Sequence, residues 1–190
     1  MRWYRFFLII LLFQACSTVQ DKKLVEKGLT LRYLSASDIE EVRLQHPVQI
    51  TEAEVRKHLQ SLWYEDMTSG GKRDRVFSDS DAAKIGRLLA KALNHVKPGK
   101  LVRFELATST GATEAEVFAE KDRLHWRFRS LRGSVFTCNA VQPECLRSNW
   151  RLIPRGGQRY FSVQTLLFGR SSTENWIVEG LNPVSPKPGR

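Results

Sequence analysis

Arg123 to Ser130 reads RLHWRFRS. Leu124, Trp126 and Phe128 alternate with His125, Arg127 and Arg129. A period of two belongs to a β-strand, whose successive side chains point to opposite faces. A slip of one residue would bury arginine and expose tryptophan, so the register is strongly specified. The stretch is read as a half-buried strand, with Leu124, Trp126 and Phe128 toward a core and His125, Arg127 and Arg129 toward water.

The flanking sequence extends this strand into a sheet. EAEVFAEKD before it makes a hairpin around Lys121 and Asp122. Further upstream, KLVRFELA sets Val102, Phe104 and Leu106 on one face and Arg103 and Glu105 on the other, and TSTGAT turns the chain. Three neighbouring strands with short turns predict an antiparallel meander. NWRLIP, RYFSVQTLLF and NWIV downstream, and LTLRYL at Leu29 to Leu34, are further strand candidates. HPVQI at His46 to Ile50 is a short extended piece, as the residue before a proline prefers.

Two helices are also legible. TEAE at Thr51 to Glu54 is a capping box, followed by Val55, Leu59 and Leu62 at helical spacing, with Trp63 widening that face. MTSGGKRDR reads as a basic loop. Ser78 then caps a second helix, with Asp81 in the capping-box position and Phe77 stapling against Ala82. Ala82, Ile85, Leu89, Ala92, Leu93 and Val96 line one side, and KPG at Lys97 to Gly99 stops it. The expected fold is α+β, with two main helices packed on one face of a mostly antiparallel sheet. Leu124, Trp126 and Phe128 are expected to meet Ile85, Leu89 and Leu93.

The 190 residues fit one compact domain plus extensions, and 42% hydrophobic residues suffice for an ordinary core. The formal net charge of +10 favours anionic partners, or marks a basic solvated surface. Three cysteines exclude a disulfide-dense miniprotein.

The N-terminus carries the address. Arg2 and Arg5 precede FFLIILLF at Phe6 to Phe13, followed by Gln14, Ala15 and Cys16. The run is well short of the roughly 20 residues that a spanning helix needs. The arrangement resembles a bacterial lipoprotein signal peptide, with Ala15 as the small residue and Cys16 as the lipidated cysteine. Phe13 fills the usually aliphatic slot, and Gln14 is larger than usual there. The resemblance covers about the first sixteen residues. It implies an acylated Cys16 held in a membrane. Ser17 after the cysteine goes, in that class, with the outer membrane facing the periplasm. Secretion with cleavage after Ser17, or an uncleaved anchor, remain alternatives. The resulting organisation is a signal peptide over 1–15, lipidated cysteine and tether over 16–28, one α+β domain over 29–181 and a proline-rich tail over 182–190.

Export permits disulfides. Cys138 and Cys145 in CNAVQPEC are therefore read as a structural disulfide, with two free thiols as the alternative. No third cysteine or histidine flanks them to make a metal site.

Catalytic motifs are not evident: the sequence has no GxGxxG, Walker loop, HExxH or GxSxG. His46, His58, His95 and His125 lie on different elements, and Glu114 and Glu116 read as a solvated strand face. No catalytic residue, metal or cofactor is assigned. The sharpest feature is the wet face of the meander, where Arg103, His125, Arg127 and Arg129, with Arg123 nearby, would hold a phosphate-rich lipid head group or an acidic partner. The alternative is an ordinary sheet surface, with these arginines paired to Glu105 or Glu116 across strands. Trp126 and Phe128 alternate away from that face, which argues against nucleic acid.

The sequence thus points to a lipid-anchored envelope protein with a non-catalytic domain that binds an envelope protein partner or supports an assembly. The rivals are a basic module for anionic lipid and an envelope hydrolase. The last needs a histidine between a nucleophile and an orienting carboxylate.

Overall fold

The computed structural model describes residues 24–36, 39, 42–137, 148–165 and 169–182. Residues 1–23 with Cys16, then Cys138 and Cys145, and residues 183–190 lie outside the described residues. In chain order the elements are β1 (Leu24–Glu26), β2 (Leu29–Ser35), α1 (Glu52–Ser61), β3 (Trp63–Asp66), β4 (Lys72–Arg75), α2 (Asp79–His95), β5 (Lys100–Thr108), β6 (Gly111–Glu120), β7 (Arg123–Leu131), β8 (Ser134–Val135), β9 (Trp150–Ile153), β10 (Arg159–Thr165) and β11 (Gly169–Gly180).

Over the described residues the protein is mostly antiparallel sheet with two helices. The main sheet runs β1-β2-β5-β6-β7-β11-β10, with β8 beside β7, and a smaller one runs β4-β3-β9. Each ladder among the described residues is antiparallel. The meander is β5, β6 and β7. Its second turn is Lys121–Asp122, with Lys121 at φ 55°. Trp126 faces Val117 on one side and Ile177 on the other, which continues the inward row across three strands.

Leu124, Trp126 and Phe128 are buried, in one hydrophobic cluster with Ile85, Leu89 and Leu93 of α2 and Val55 and Leu59 of α1. Phe77, just before α2, sits 5.9 Å from Phe104 and 6.1 Å from Phe128, ring centre to ring centre. Both helices start as their capping residues dictate. The Glu54 amide donates to Thr51 Oγ1 at 3.2 Å, and the Thr51 amide donates to Glu54 Oε2 at 2.7 Å. At α2 the Asp81 amide donates to Ser78 Oγ at 3.1 Å.

Several expectations need correction. Trp63 belongs to β3 rather than to the face of α1. Part of the MTSGGKRDR stretch is β4, a strand without apolar alternation. Pairing with β3 holds it, together with Glu65, which accepts from Arg73 Nε at 3.1 Å and Arg151 Nε at 2.7 Å. Leu24–Glu26, placed in the tether, adds an edge strand to the sheet.

Candidate functional site

The outer face of the main sheet, opposite the helix-lined cluster, carries the predicted basic residues, and its register sorts them into two zones. In the first, Arg32 faces Arg103, Arg103 faces Glu116, and Glu116 faces Arg127 across successive strands. A β-bulge between Glu114 and Ala115 leaves Arg129 as the extra residue of β7, so Arg129 joins the same face.

Glu116 is the hub of this zone. It is only 1% exposed, although the sequence reads it as solvated. Arg103 Nε donates to its Oε1 at 3.1 Å, Arg127 Nε to Oε2 at 2.5 Å and Arg129 Nε to Oε1 at 2.9 Å. Arg103 also lies 3.3 Å from Glu114. Burial pushes the Glu116 carboxyl up, but Arg127, Arg103 and Arg129 together outweigh it and hold it below the usual carboxylate range. Three guanidinium groups thus converge on the Glu116 carboxylate, with Glu114 beside Arg103. The Arg127 guanidinium also lies over the Trp176 ring, 5.3 Å from its centre. Arg123 stands apart at the strand end, half exposed and 4.0 Å from Asp122.

One step along the strands the face becomes apolar. Phe118 faces His125, and His125 faces Val178. Ile39, Val42, Leu101, Phe118, Trp176 and Val178 form a second cluster here, with Leu44 and Phe161 packed against it. His125 does not face water, contrary to the strand pattern: it is 1% exposed, stacked on Phe118 at 4.8 Å. The Trp176 indole N–H donates to its Nδ1 at 3.2 Å, and Glu120 lies 3.6 Å from its Nε2. Burial, then the positive charges of Arg123 and Arg159, lower its pKa to about 4. His46 is buried nearby. The Ala119 amide donates to its Nε2 at 3.2 Å, and burial lowers its pKa to about 4.

The inner face holds a polar group that sequence reasoning missed. His58 of α1, fully buried, has Nδ1 2.9 Å from Glu179 Oε1 and Nε2 2.9 Å from the Leu181 carbonyl. Glu179 also accepts from Trp126 Nε1 at 2.6 Å and Gln158 Nε2 at 3.0 Å. His58 therefore has a carboxylate on one side, but a backbone carbonyl occupies the place a nucleophile would take. The Ser61 hydroxyl donates to the His58 carbonyl at 2.6 Å instead. No signal in the sequence joins His58 to Glu179, because they are far apart in the chain and on different element types.

Among the described residues no group of three or more His, Cys, Asp or Glu side chains is placed to hold a metal ion. No described helix is long and apolar enough to cross a membrane. Comparisons with protein-family models, curated proteins and solved structures found no match.

Proposed function

We propose that this chain is a lipid-anchored protein of the bacterial cell envelope, held by an acylated Cys16 in the outer membrane and facing the periplasm. Its domain binds an envelope partner or supports an assembly, and it is not catalytic. In this reading the two helices pack on the inner sheet face, and the charged zone around Glu116 on the outer face is left for contact. The Arg2-to-Cys16 segment supports the anchor. The geometry that carries the binding reading is the commitment of the three buried histidines: each of His46, His58 and His125 is locked against backbone or packed side chains. A hydrolase would instead present such a ring to a nucleophile. Cys138 and Cys145 form a disulfide in this reading.

The test is mass spectrometry of the full-length protein purified from membranes, with its co-purifying partners. The expected N-terminus is acylated Cys16, lost from the membrane in Cys16→Ala. A chain starting at Met1, or at unmodified Thr18, would remove the anchor. Alkylation of both Cys138 and Cys145 without reduction would remove the disulfide.

A second reading, an outer face for phosphate-bearing lipid, is favoured by the convergence of Arg103, Arg127 and Arg129 on one sheet face, with Arg129 42% exposed on its side chain. Titration of the full chain in detergent with a phosphorylated head-group analogue tests it. Binding weakened in Arg129→Gln supports that reading, and no measurable binding removes it.

A further inference from the structure

We propose that residues 42–48 form an acid-released latch over the apolar end of the outer sheet face, with His46 and His125 as its paired proton sensors. Val42 packs in the outer cluster, the Gln45 amide donates to the Ala119 carbonyl at 2.8 Å, and the Val48 amide donates to the Leu93 carbonyl at 3.3 Å. His46 completes the grip on Ala119 by accepting that residue's amide proton. On the other side of Phe118, His125 accepts the Trp176 indole proton.

The chemistry of the partners fixes the form of each ring. A peptide N–H and an indole N–H can only donate. Nε2 of His46 and Nδ1 of His125 must therefore carry lone pairs, and each ring is neutral when closed. Protonation turns each acceptor into a donor facing a donor, in a place where water does not reach to compensate. Both contacts fail by the same event. They hold neighbouring residues, since Phe118 stacks on His125 and Ala119 bonds His46.

The surroundings do not rescue the charged forms. Around His125, β6 contributes Glu120, 3.6 Å from Nε2, while β7 contributes Arg123 and β10 contributes Arg159, both of which oppose protonation. From β5 and β11 come Leu101, Trp176 and Val178, all uncharged. Around His46, desolvation alone acts. His58 on the inner face is built the other way, with Nδ1 toward Glu179 and Nε2 toward the Leu181 carbonyl. Release would withdraw Val42 and Leu44 from the outer cluster that holds Phe118. This inference does not rest on the anchor or on any partner.

Hydrogen–deuterium exchange of the full chain in detergent, corrected for intrinsic rates, tests it between pH 7 and pH 5. With the histidine value moving from about 4 closed to 6.5 open, the opening constant should rise about 20-fold for each histidine released to water. The peptide spanning 42–48 should lose that protection while α2 keeps its own. Protection of 42–48 that ignores pH, or that falls in step with α2, overturns the proposal. His46→Gln keeps a neutral acceptor at the Nε2 position and should remove the share of the response that His46 supplies. Should that variant fail to fold, the ring-nitrogen NMR signals of the unaltered protein decide. Unprotonated Nε2 of His46 and Nδ1 of His125 at pH 7 are expected, and a proton on either overturns the proposal.

Discussion

Glu116 is buried among guanidinium groups, and its removal separates charge balance from packing. Glu116→Gln keeps the shape and leaves three arginines around a neutral amide. It should cost about 3 kcal/mol, measured by urea unfolding, because the surviving charges lose their counterion in a site from which water is partly excluded. Charge reversal at Arg127 and Arg129 should be destabilising for the same reason. Trp126 has two roles that two substitutions separate. Trp126→Ala should cost about 3–5 kcal/mol by opening a cavity. Trp126→Phe keeps most of the volume but removes the N–H that Glu179 accepts, and should cost about 1.5–3 kcal/mol. Equal costs for the two would assign the whole effect to the hydrogen bond. The Glu116 pairing was legible once the turns were placed. A two-residue turn at Lys121–Asp122 puts Glu116 opposite Arg127, and one at Ser109–Thr110 puts it opposite Arg103. Its burial was not legible, because that depends on how three long side chains fold over it.

At the scale of elements, α1 tests the capping box. Thr51→Ala removes the acceptor for the Glu54 amide and should lower stability by about 1 kcal/mol, read as a shifted urea midpoint with unchanged slope. The β5–β6 hairpin tests backbone geometry. Gly111 has φ 125°, and a Cβ there would stand 2.6 Å from the Gly133 Cα, so Gly111→Ala meets backbone that cannot swing aside. A loss of at least about 2 kcal/mol is expected, with thermal unfolding as the readout. Both helices and the meander follow local rules that a sequence carries in full: a hydroxyl before a helical apolar stripe, and alternation interrupted by short turns. β4 lacks any such pattern. Lys72 to Arg75 form a strand because β3 offers unpaired backbone groups and Glu65 offers a carboxylate, and neither is local to KRDR.

For the whole molecule, pH is the informative variable. His46 and His125 are held neutral in the folded state, with values lowered from 6.5 to about 4. The unfolded chain takes up protons at these rings from about pH 6.5 downward, and the folded chain does so only near pH 4. Stability is therefore intact above pH 6.5 and falls as the pH drops toward 4, by about 3 kcal/mol for each histidine. Glu116, held below the ordinary carboxylate value, contributes stability that is present above that value and is lost at still lower pH. Urea unfolding across pH 8 to 4 should show the histidine loss, and His125→Asn should shrink it. A flat profile would mean that these rings are not buried neutral in solution.

The faces of the two helices, the meander and the inward row Leu124, Trp126 and Phe128 can be read from the chain alone. Each rests on a period of two or 3.6 and on caps a few residues away. The outer face could not be read in that way. Alternation specifies that His125 points opposite to Trp126, which is correct, but says nothing about what lies on that side. Ile39, Val42, Phe161 and Trp176 cover it from distant parts of the sequence. The same strand face is therefore a charged, partly wet surface at Arg127 and a closed apolar pocket two residues earlier. The pairing of His58 with Glu179 has the same origin. It joins a helix near the start of the domain to its last described strand, and only packing of the whole chain brings such groups within hydrogen-bonding distance.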